Sequence, residues 1–423
     1  MFWPFVPLTF KLEIDRLFEL IIIIIKALFV KRVLVLGGGF AGLEAAIFLR
    51  KEGFGVTLVS DRDYFYINPT SIWIPTGNIS AERVRIPLAA LERAHGFETV
   101  VGRVETIRSR EGVVSLDSGV TLEGYDYLVI AMGASKMSYD GLEHTRSICG
   151  APEEALMLQE RLEHLIAKGG GKIAMGFGGN PKDSSAVRGG PAFELMFNVE
   201  HMLRKRGVRG QFELTMFAPM PEPGKRMGPK ALKMMEHQFE RLGITRRFGT
   251  KIAGFESGGV LFEDGSRVES DLTMFIPGSR GHEVVARSDL PTNEAGFIRI
   301  DDSCRVLFGA PDAPQNVYAI GDVAALEGPE WRAKQGHIAE VMGRNAAFNI
   351  ARHSSGIGSR KGYSEHLNIL CIMDSGDGAA FVYRDETRAM MIPLPIVGHW
   401  IKKAWGLYCR WSKLGRIPRI PGL

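Results

Sequence analysis

The pattern of apolar and polar positions predicts two strand–helix–strand units of the same kind. Val33–Leu36 is a short, continuously apolar run that ends in glycines, and a helical pattern and a second apolar strand, Val56–Ser60, follow it. The order recurs with a strand at Lys172–Gly176, a helix at Ala192–Lys205 and a strand at Phe212–Phe217. Strands that are apolar on both faces are typical of parallel sheets covered by helices. The pattern therefore predicts an α/β protein with two βαβ units.

Weaker patterns of apolar and polar positions predict the elements of the remaining chain. Antiparallel strands with glycine turns are predicted at Thr99–Asp126 and Lys251–Glu269, and a long helix at about Pro152–Lys168. Asn316–Ala324 is predicted to be a strand that ends in a turn, followed by a helix through Ala351. The chain from Tyr363 onward differs in character and is predicted to be a separate C-terminal region.

Residues Val397–Leu414 have an unusual amphipathic pattern. At 100° per residue, one arc of this predicted helix holds Lys402, Lys403, Gly406, Arg410 and Lys413. The aromatic and apolar side chains occupy the rest, and three of the six tryptophans of the chain lie here. Cations on one side and Trp and Tyr on the other are typical of a helix on anionic lipid. The alternative is a helix whose tryptophans pack into the protein core.

Charge and composition narrow the function classes. The 423 residues have a formal net charge of +4, which does not indicate a nucleic-acid-binding protein. From Ala389 onward there is no Asp or Glu but six Lys and Arg, so a basic tail follows a nearly neutral body. The four cysteines are not in CxxC spacing, and no zinc or iron–sulfur set is present in the sequence. The apolar run Leu17–Val30 is interrupted by charges and is shorter than a membrane span requires. We interpret it as an extension, either an interfacial anchor or the result of a wrongly assigned start.

The first βαβ unit contains a dinucleotide-binding motif. Gly37, Gly39 and Gly42 form G-x-G-x-x-G, with Phe40 and Ala41 between them, directly after a strand and at the start of a helix. The glycines allow a tight turn, close approach of the backbone to a pyrophosphate, and close helix–strand packing. Ser60 closes the second strand and Asp61 follows it, and either could bind the adenosine ribose.

A second signature indicates FAD rather than NAD at this site. The strand VYAIGD places Gly321 and Asp322 late in the chain, where related flavoproteins use the aspartate to bind the ribityl or phosphate oxygens. The turn Ala131–Gly133 also follows an apolar strand, and it resembles the corresponding turn in those flavoproteins. An NAD dehydrogenase would not need the late Gly-Asp strand, so the two signatures together predict FAD in the first of two Rossmann-like domains.

The second βαβ unit lacks the parts expected for nicotinamide binding. After Gly176, Gly178 and Gly179, about ten residues intrude before the helix resumes at Gly189–Glu194. The following strand, FELTMFAP, ends without an acid for a ribose hydroxyl. We therefore do not expect NADH to be the physiological electron donor.

Four segments resemble the sulfide:quinone oxidoreductases and the related flavocytochrome c sulfide dehydrogenases. They are DRDYFYINPTSIWIPTG at Asp61–Gly77, GPAFE at Gly190–Glu194, KQGHIAE at Lys334–Glu340 and CIMDSGDGAAFV at Cys371–Val382. The resemblance extends over nearly the whole chain from Val33, and the last two segments are fairly specific. It implies bound FAD and electron transfer from a sulfur compound to a quinone.

The resemblance also implies roles for individual residues. Cys371 matches the C-terminal member of the family's redox-active cysteine pair, and Cys149 matches a cysteine found in part of the family. The middle cysteine is absent, because Val187, Arg188 and Gly189 occupy its place. An arginine there could lower the pKa of a neighbouring thiol or hold an anionic sulfur substrate. Lys334 resembles the lysine that approaches the flavin ring and stabilises its anionic reduced form.

These expectations define the working hypothesis. Its predicted regions are a hydrophobic extension (1–30), a FAD-binding domain in two parts (31–140 and 295–352), a second Rossmann-like domain (141–294) and a flavin-covering, membrane-interface region (353–423). The predicted protein is a peripheral enzyme of a prokaryotic cell membrane that passes electrons from sulfide through FAD to quinone and contacts lipid through its C-terminal helix. A type II NADH:quinone dehydrogenase and a flavin-binding electron-relay protein without sulfide turnover are the alternatives. The membrane face and the oligomeric state, including a homo-oligomer, stay open.

Overall fold

A computed structural model describes residues 30–419 of the chain. The predicted N-terminal extension therefore lies outside the described residues except for Val30. The first part of the described chain alternates short strands with two helices. Its elements are β1 (Arg32–Leu36), α1 (Phe40–Lys51), β2 (Gly55–Ser60), β3 (Tyr64–Tyr66), β4 (Arg85–Pro87), α2 (Leu88–His95), β5 (Glu98–Val101), β6 (Val104–Arg108), β7 (Val113–Leu116), β8 (Thr121–Glu123), β9 (Tyr127–Ile130) and β10 (Ser135–Lys136).

The middle part contains the second βαβ unit and an antiparallel sheet. Its elements are α3 (Pro152–Lys168), β11 (Gly171–Phe177), α4 (Gly190–Lys205), β12 (Phe212–Ala218), α5 (Pro229–Arg241), β13 (Ile244–Phe248), β14 (Ile252–Glu256), β15 (Gly259–Phe262), β16 (Arg267–Glu269), β17 (Leu272–Ile276), β18 (Ser279–Arg280) and α6 (Glu283–Ala286).

The last part returns to the first domain and then adds the C-terminal region. Its elements are β19 (Ile298–Arg299), β20 (Val317–Ala319), β21 (Ala324–Ala325), α7 (Gly336–Ser354), β22 (Ile369–Asp374), β23 (Gly378–Arg384), β24 (Ala389–Pro395) and α8 (Val397–Lys413).

Two parallel sheets form the frame of the molecule. The first has the order β20-β9-β1-β2-β5, so a strand from late in the chain completes a sheet that begins at residue 32. The second has the order β13-β12-β11-β17. Because the carboxyl ends of parallel strands form one edge, the loop after β1 and the loop after β20 lie on the same side of the first sheet. The predicted α/β class with two βαβ domains is confirmed. The exact domain boundaries stay a prediction.

The sheet assignment of one segment differs from the sequence-based expectation. Thr99–Asp126 was expected to be antiparallel throughout, but β5 pairs in parallel with β2 at the edge of the first sheet. Only β6, β7 and β8 form the antiparallel part. Short strands with mixed exposure, such as β5, carry no periodic signal that distinguishes the two arrangements.

The C-terminal region packs across both domains. Strands β22, β23 and β24 form an antiparallel sheet, and α8 follows β24 and packs against it. The inward side of α8 is polar. Lys413 is 1% exposed and donates to the carboxylate of Glu44 on α1 at 2.8 Å and to that of Glu340 on α7. A buried ion cluster thus attaches the end of α8 to the two helices that flank the first sheet.

Candidate functional site

The loop between β1 and α1 has the geometry of a dinucleotide-binding turn. Gly37 has a φ of +112°, and a Cβ atom there would lie 2.3 Å from the carbonyl oxygen of Ala131. A Cβ atom on Gly42 would lie 1.9 Å from the carbonyl oxygen of Gly37. By contrast, a Cβ atom on Gly39 would meet nothing within 4 Å. The protein's own packing therefore requires Gly37 and Gly42, whereas Gly39 leaves space for a pyrophosphate at the helix N-terminus.

The two residues after this loop that were candidates for ribose binding differ in accessibility. Ser60 is 2% exposed, and its Oγ would lie 2.7 Å from a Cβ atom on Gly38, so it packs beneath the glycine loop. The side chain of Asp61 is 50% exposed and pairs with Arg62 across 3.1 Å. Asp61 is therefore the candidate whose carboxylate is open to a ribose hydroxyl.

The late Gly-Asp strand converges on the same loop. Gly321 has a φ of +70°, and a Cβ atom there would lie 2.9 Å from the Cβ of Ala41. Asp322 follows in a short 3-10 turn, and its carboxylate accepts a hydrogen bond from the guanidinium of Arg188. The ring of Phe40, which begins α1, packs edge-on against Phe65 with centroids 4.9 Å apart.

These residues fit FAD, and the cofactor prediction is confirmed. The open space at Gly39 suits the pyrophosphate, and Asp322 lies next to the start of α1, where the flavin half would continue. When bound, FAD supplies reversible two-electron chemistry. The roles of the individual contacts at Ala131, Gly133 and Gly321 stay predictions.

Lys334 is a buried lysine on the approach to α7. It is 7% exposed, its ammonium lies 3.9 Å from the ring centroid of Phe297, and it donates to the carbonyl oxygen of Ala324. Burial lowers its pKa to about 8, although the charges of Asp322 and Asp183 oppose that change. Lys334 is therefore not a solvated surface lysine, and an ammonium with a lowered pKa is suited to respond to a charge that forms on a neighbouring ring.

The second glycine motif is filled by the protein itself. A Cβ atom on Gly178, the counterpart of Gly39, would lie 2.3 Å from the hydroxyl oxygen of Tyr139. The inserted loop that follows is ordered by its own hydrogen bonds: the Asn180 amide donates to the carbonyl oxygen of Ser279, and Asp183 accepts from Ser185. The space that Gly39 leaves open in the first motif is therefore occupied at Gly178 by a tyrosine side chain.

Cys149 lies in cationic surroundings. The thiol is 8% exposed, lies in the core of the second domain and interacts with Arg188, whose guanidinium also pairs with Asp322. Burial raises the pKa of the Cys149 thiol, while the charges of Arg188 and Lys136 act in the opposite direction. Arg188 therefore connects this cysteine to the carboxylate predicted to bind the flavin half.

Cys371 lies in anionic surroundings instead. It is on β22, and its Sγ donates to Glu194 Oε1 at 3.8 Å. The other oxygen of Glu194 pairs with the ammonium of Lys402 from α8, and both side chains are buried. Burial and then the charge of Glu194 raise the pKa of Cys371 to about 12, against the effect of Lys402. All four cysteines are free thiols, so Cys149 and Cys371 are not joined in this structure.

The sequence reasoning missed an acid–histidine pair beside Glu194. Asp374 on β22 is fully buried and accepts hydrogen bonds from Nδ1 of His399 at 2.7 Å and from Nε1 of Trp73 at 3.3 Å. Burial alone would raise the pKa of Asp374, but the contacts with His399, Asn198 and the backbone N–H of Gly376 together outweigh it, so that pKa lies below its usual range. Asp374 lies in the segment Cys371–Val382 and His399 in the predicted helix Val397–Leu414, but only the docking of α8 on β22 brings them together.

In the C-terminal helix, two tryptophans face outward, so the alternative of a helix with its tryptophans in the core does not describe them, and part of the cationic arc faces inward. The lysines of its cationic arc, Lys402 and Lys413, are 6% and 1% exposed and pair with buried carboxylates. The outward stripe of α8 is apolar and consists of Val397, Trp400, Ile401, Leu407 and Trp411. Periodicity identified the two arcs, but it could not show which of them the protein's buried acids would select.

Comparison with known proteins places the chain among flavin enzymes. The profile of the pyridine nucleotide-disulphide oxidoreductase family matches residues 31–343. The sulfide-quinone reductase of Aquifex aeolicus (strain VF5) is 30% identical over 405 residues, which cover 90% of this chain and 91% of that protein. A solved structure of the sulfide:quinone oxidoreductase from Aquifex aeolicus superposes with a TM-score of 0.79 at 26% identity, covering 91% and 92% of the two chains.

A second group of relatives has a different electron donor in its name. The type II NADH:quinone oxidoreductase of Staphylococcus epidermidis (strain ATCC 12228) is 24% identical over 377 residues, 84% of this chain and 90% of that protein. Both groups of names include a quinone. Within residues 30–419, no helix has the length and apolar character required to cross a bilayer.

Proposed function

The chain belongs to the pyridine nucleotide-disulphide oxidoreductase family as a sulfide:quinone oxidoreductase-like flavoprotein, and we propose that it passes electrons from sulfide, or a related reduced sulfur compound, through FAD to a quinone. One observation carries the proposal. Cys149 interacts with Arg188, which pairs with Asp322, so a thiol with a cation beside it is connected directly to the predicted flavin-binding carboxylate. Thiolate is the reactive form of cysteine, and a neighbouring guanidinium favours it.

The choice of sulfide over NADH rests on the second glycine motif. The hydroxyl of Tyr139 lies where the Gly178 turn would need space for a pyrophosphate. The loop of residues 180–188 also packs onto the flavin domain, since the backbone N–H of Lys334 donates to the carbonyl oxygen of Ser185. Binding NADH in the usual position would require both to move.

The quinone end of the proposal rests on the outward face of α8. Trp400 is 63% exposed, Leu407 51% and Trp411 44%, and they continue onto Ile396 and Ile392 of the preceding turn and strand. Monomeric proteins rarely expose contiguous apolar patches of this kind unless the patch has a role. We propose that this stripe lies in the membrane interface of the cell membrane and gives a water-insoluble quinone its route to the protein.

An anaerobic titration tests the donor. Purified yellow protein is mixed with sulfide or with NADH in a stopped-flow instrument, and flavin bleaching is followed without quinone. We expect rapid bleaching by sulfide and slow or no bleaching by NADH. Tyr139→Ala is the diagnostic variant, because it opens the turn at Gly178 and should speed bleaching by NADH without affecting sulfide. Rapid bleaching of the wild type by micromolar NADH, with none by sulfide, would make the protein an NADH dehydrogenase.

Vesicle binding tests the membrane surface. Truncation before α8 is unsuitable, because it would leave Glu44, Glu194 and Glu340 without their buried cations. Trp400→Ser and Trp411→Ser should instead reduce co-sedimentation with vesicles, and Val120→Ser, a 48% exposed residue elsewhere, should not. Since the stripe is apolar and the inward lysines are paired, added salt should weaken binding only slightly. Loss of binding in moderate salt would show that the cations face the lipid after all.

A further inference from the structure

A buried acid–histidine pair lies at the edge of the apolar stripe, outside the thiol site. His399 is in the first turn of α8, between the exposed residues Val397 and Trp400. Its side chain is 13% exposed, and Nδ1 bonds to the fully buried carboxylate of Asp374. The ring is held further by edge-on contact with Trp73, at 5.6 Å between centroids.

This geometry orients the histidine in one way. With Nδ1 held by a carboxylate, the other ring nitrogen, Nε2, is left for proton exchange, as in acid–histidine pairs that transfer protons. The exposed residues beside His399 in the chain, Val397 and Trp400, are apolar. Asp374 is a positioning residue in this arrangement, because it sets the tautomer and ring orientation of His399.

Further buried charges surround the pair. Asp374 and Glu194 are both buried carboxylates that feel each other's charge. Lys402, one turn along α8 from His399, pairs with Glu194 and supplies one buried positive charge for the two acids. Lys403 is the other nearby cation, and its ammonium lies over the rings of Trp73 and Trp400 at 5.9 and 5.1 Å. Two buried acids thus share one buried lysine, and His399 contacts the acid that this lysine does not pair with.

The start of α8 is held in an unusual conformation. Ile396, which connects β24 to α8, has φ +62° and ψ −60°, a strained turn geometry for a β-branched residue. Such a conformation persists where the surrounding contacts determine it, and here the turn places the first helical residues with His399 facing Asp374.

We propose that His399, oriented by Asp374, supplies a proton to quinone at the membrane-facing edge of the protein. The proposal rests on the proposed function, since it requires a quinone as the acceptor. Protonated His399 gives one proton from Nε2 to a quinone oxygen, and bound reduced FAD would supply the other proton and two electrons as a hydride equivalent. Quinone thus becomes quinol, flavin is reoxidised, and neutral His399 takes a new proton from water. Atoms and charges balance with no further reactant.

The test separates this step from the reaction with sulfide. FAD-loaded protein is reduced with dithionite and mixed anaerobically with a short-chain quinone, and flavin reoxidation is followed between pH 5 and 9. In the wild type, the rate should fall as pH rises, because the proposed transfer requires a protonated donor. In His399→Asn, which keeps an N–H donor toward Asp374, the rate at pH 6 should be about 10- to 100-fold lower and nearly independent of pH. Flavin reduction by sulfide without quinone should be unchanged.

A matched control is available on α4. His201 also lies beside a carboxylate at 3.7 Å, but that carboxylate belongs to Asp377, whose side chain is 44% exposed, and not to the fully buried Asp374. His201→Asn should leave the rate and its pH dependence unchanged. If His399→Asn matches the wild type in both, the relay is wrong and the pair only holds α8 in place. If quinone does not reoxidise the reduced wild type at all, the proposed function fails, and the relay with it.

Discussion

The two cysteines that the family resemblance singles out lie in opposite electrostatic environments. Cys149 interacts with Arg188, and Lys136 adds a second positive charge, so the neighbouring charges oppose the rise in thiol pKa caused by burial. Cys371 faces the carboxylate of Glu194, so the neighbouring charge adds to burial and the pKa reaches about 12. Both thiols have a raised pKa, but the neighbouring charges oppose the rise at Cys149 and add to it at Cys371.

This difference changes which cysteine should be the nucleophile. The resemblance alone assigned the leading role to Cys371, because its segment matches the active site of the family more closely. The structure places the cation that replaces the missing middle cysteine, Arg188, beside Cys149. A thiol kept protonated by a carboxylate is suited to donate a proton, and a thiol beside a guanidinium is suited to attack an electrophile.

The comparison assumes a flavin beside both thiols, and removing the flavin should have the largest effect. Gly39→Val fills the space where a Cβ atom at present meets nothing within 4 Å, so the pyrophosphate should be excluded and the protein should be isolated without FAD. Gly210→Val is the control, because a Cβ atom there also meets nothing within 4 Å but the residue is remote from the loop. The measurement is the ratio of flavin to protein absorbance, and a fully yellow Gly39→Val would contradict the binding site.

Single cysteine replacements test the comparison directly. We expect Cys149→Ser to slow flavin reduction by sulfide on the order of 1,000-fold, the scale of losing a nucleophile. Cys371→Ser should slow it by about tenfold, equivalent to about 1.4 kcal/mol in the barrier. Both variants should keep FAD, and stopped-flow bleaching gives the rates.

The outcome of those replacements decides between two routes. A larger loss in Cys371→Ser would restore the ranking implied by the resemblance and make the electrostatic difference secondary. Wild-type rates in both variants would remove cysteine chemistry altogether and leave donors that transfer hydride directly to the flavin.

The third prediction concerns the removal of the negative charge that faces Cys371. Glu194→Gln removes the carboxylate that faces the thiol and leaves Lys402 nearby, so the pKa of Cys371 should fall by about one pH unit. The alkylation rate of the Cys371 peptide is measured against pH, and the midpoint of that curve reports the pKa. The accessibility of the thiol changes the rates but not the midpoint. Because Lys402 loses its buried partner, the variant should also be destabilised by about 3–5 kcal/mol. The double variant with Lys402→Met should recover part of that stability, and an unmoved midpoint would mean that burial alone sets the pKa.

The parts of the fold and of the site that could be predicted from sequence are those formed by residues close together in the chain. The glycine loop at Gly37–Gly42 and the Gly-Asp turn at residues 321–322 depend on backbone geometry within a few residues, so their motifs predicted a convergence that the fold contains. The Cys371–Glu194 contact joins residues 177 positions apart, and the Glu194–Lys402 pair joins residues 208 apart. No spacing rule connects such residues, and only the docking of α8 and β22 against α4 brings them together.

The C-terminal helix also shows that sequence patterns predict local structure but not contacts between distant residues. Its bounds, predicted at Val397–Leu414 and observed at Val397–Lys413, follow from periodicity. The direction of its faces does not, because it depends on Glu44, Glu194 and Glu340, which lie on other helices. Buried carboxylates hold the lysines inward, and the tryptophans are left outside as a consequence.

The smallest expected effect concerns Lys136, the weaker of the two cations near Cys149. Its charge lowers the pKa of the thiol less than that of Arg188 does, so Lys136→Met should raise the alkylation midpoint of Cys149 only slightly. Arg188→Gln should raise it more, because that variant removes the larger charge effect and a hydrogen bond. The sign follows from the loss of a positive charge, which disfavours the thiolate and moves the midpoint to higher pH. Neither variant should move the midpoint of Cys371, whose neighbours are Glu194 and Lys402. Equal pKa shifts at both cysteines would mean that the same charges act on both thiols. The two thiols would then not lie in opposite electrostatic environments.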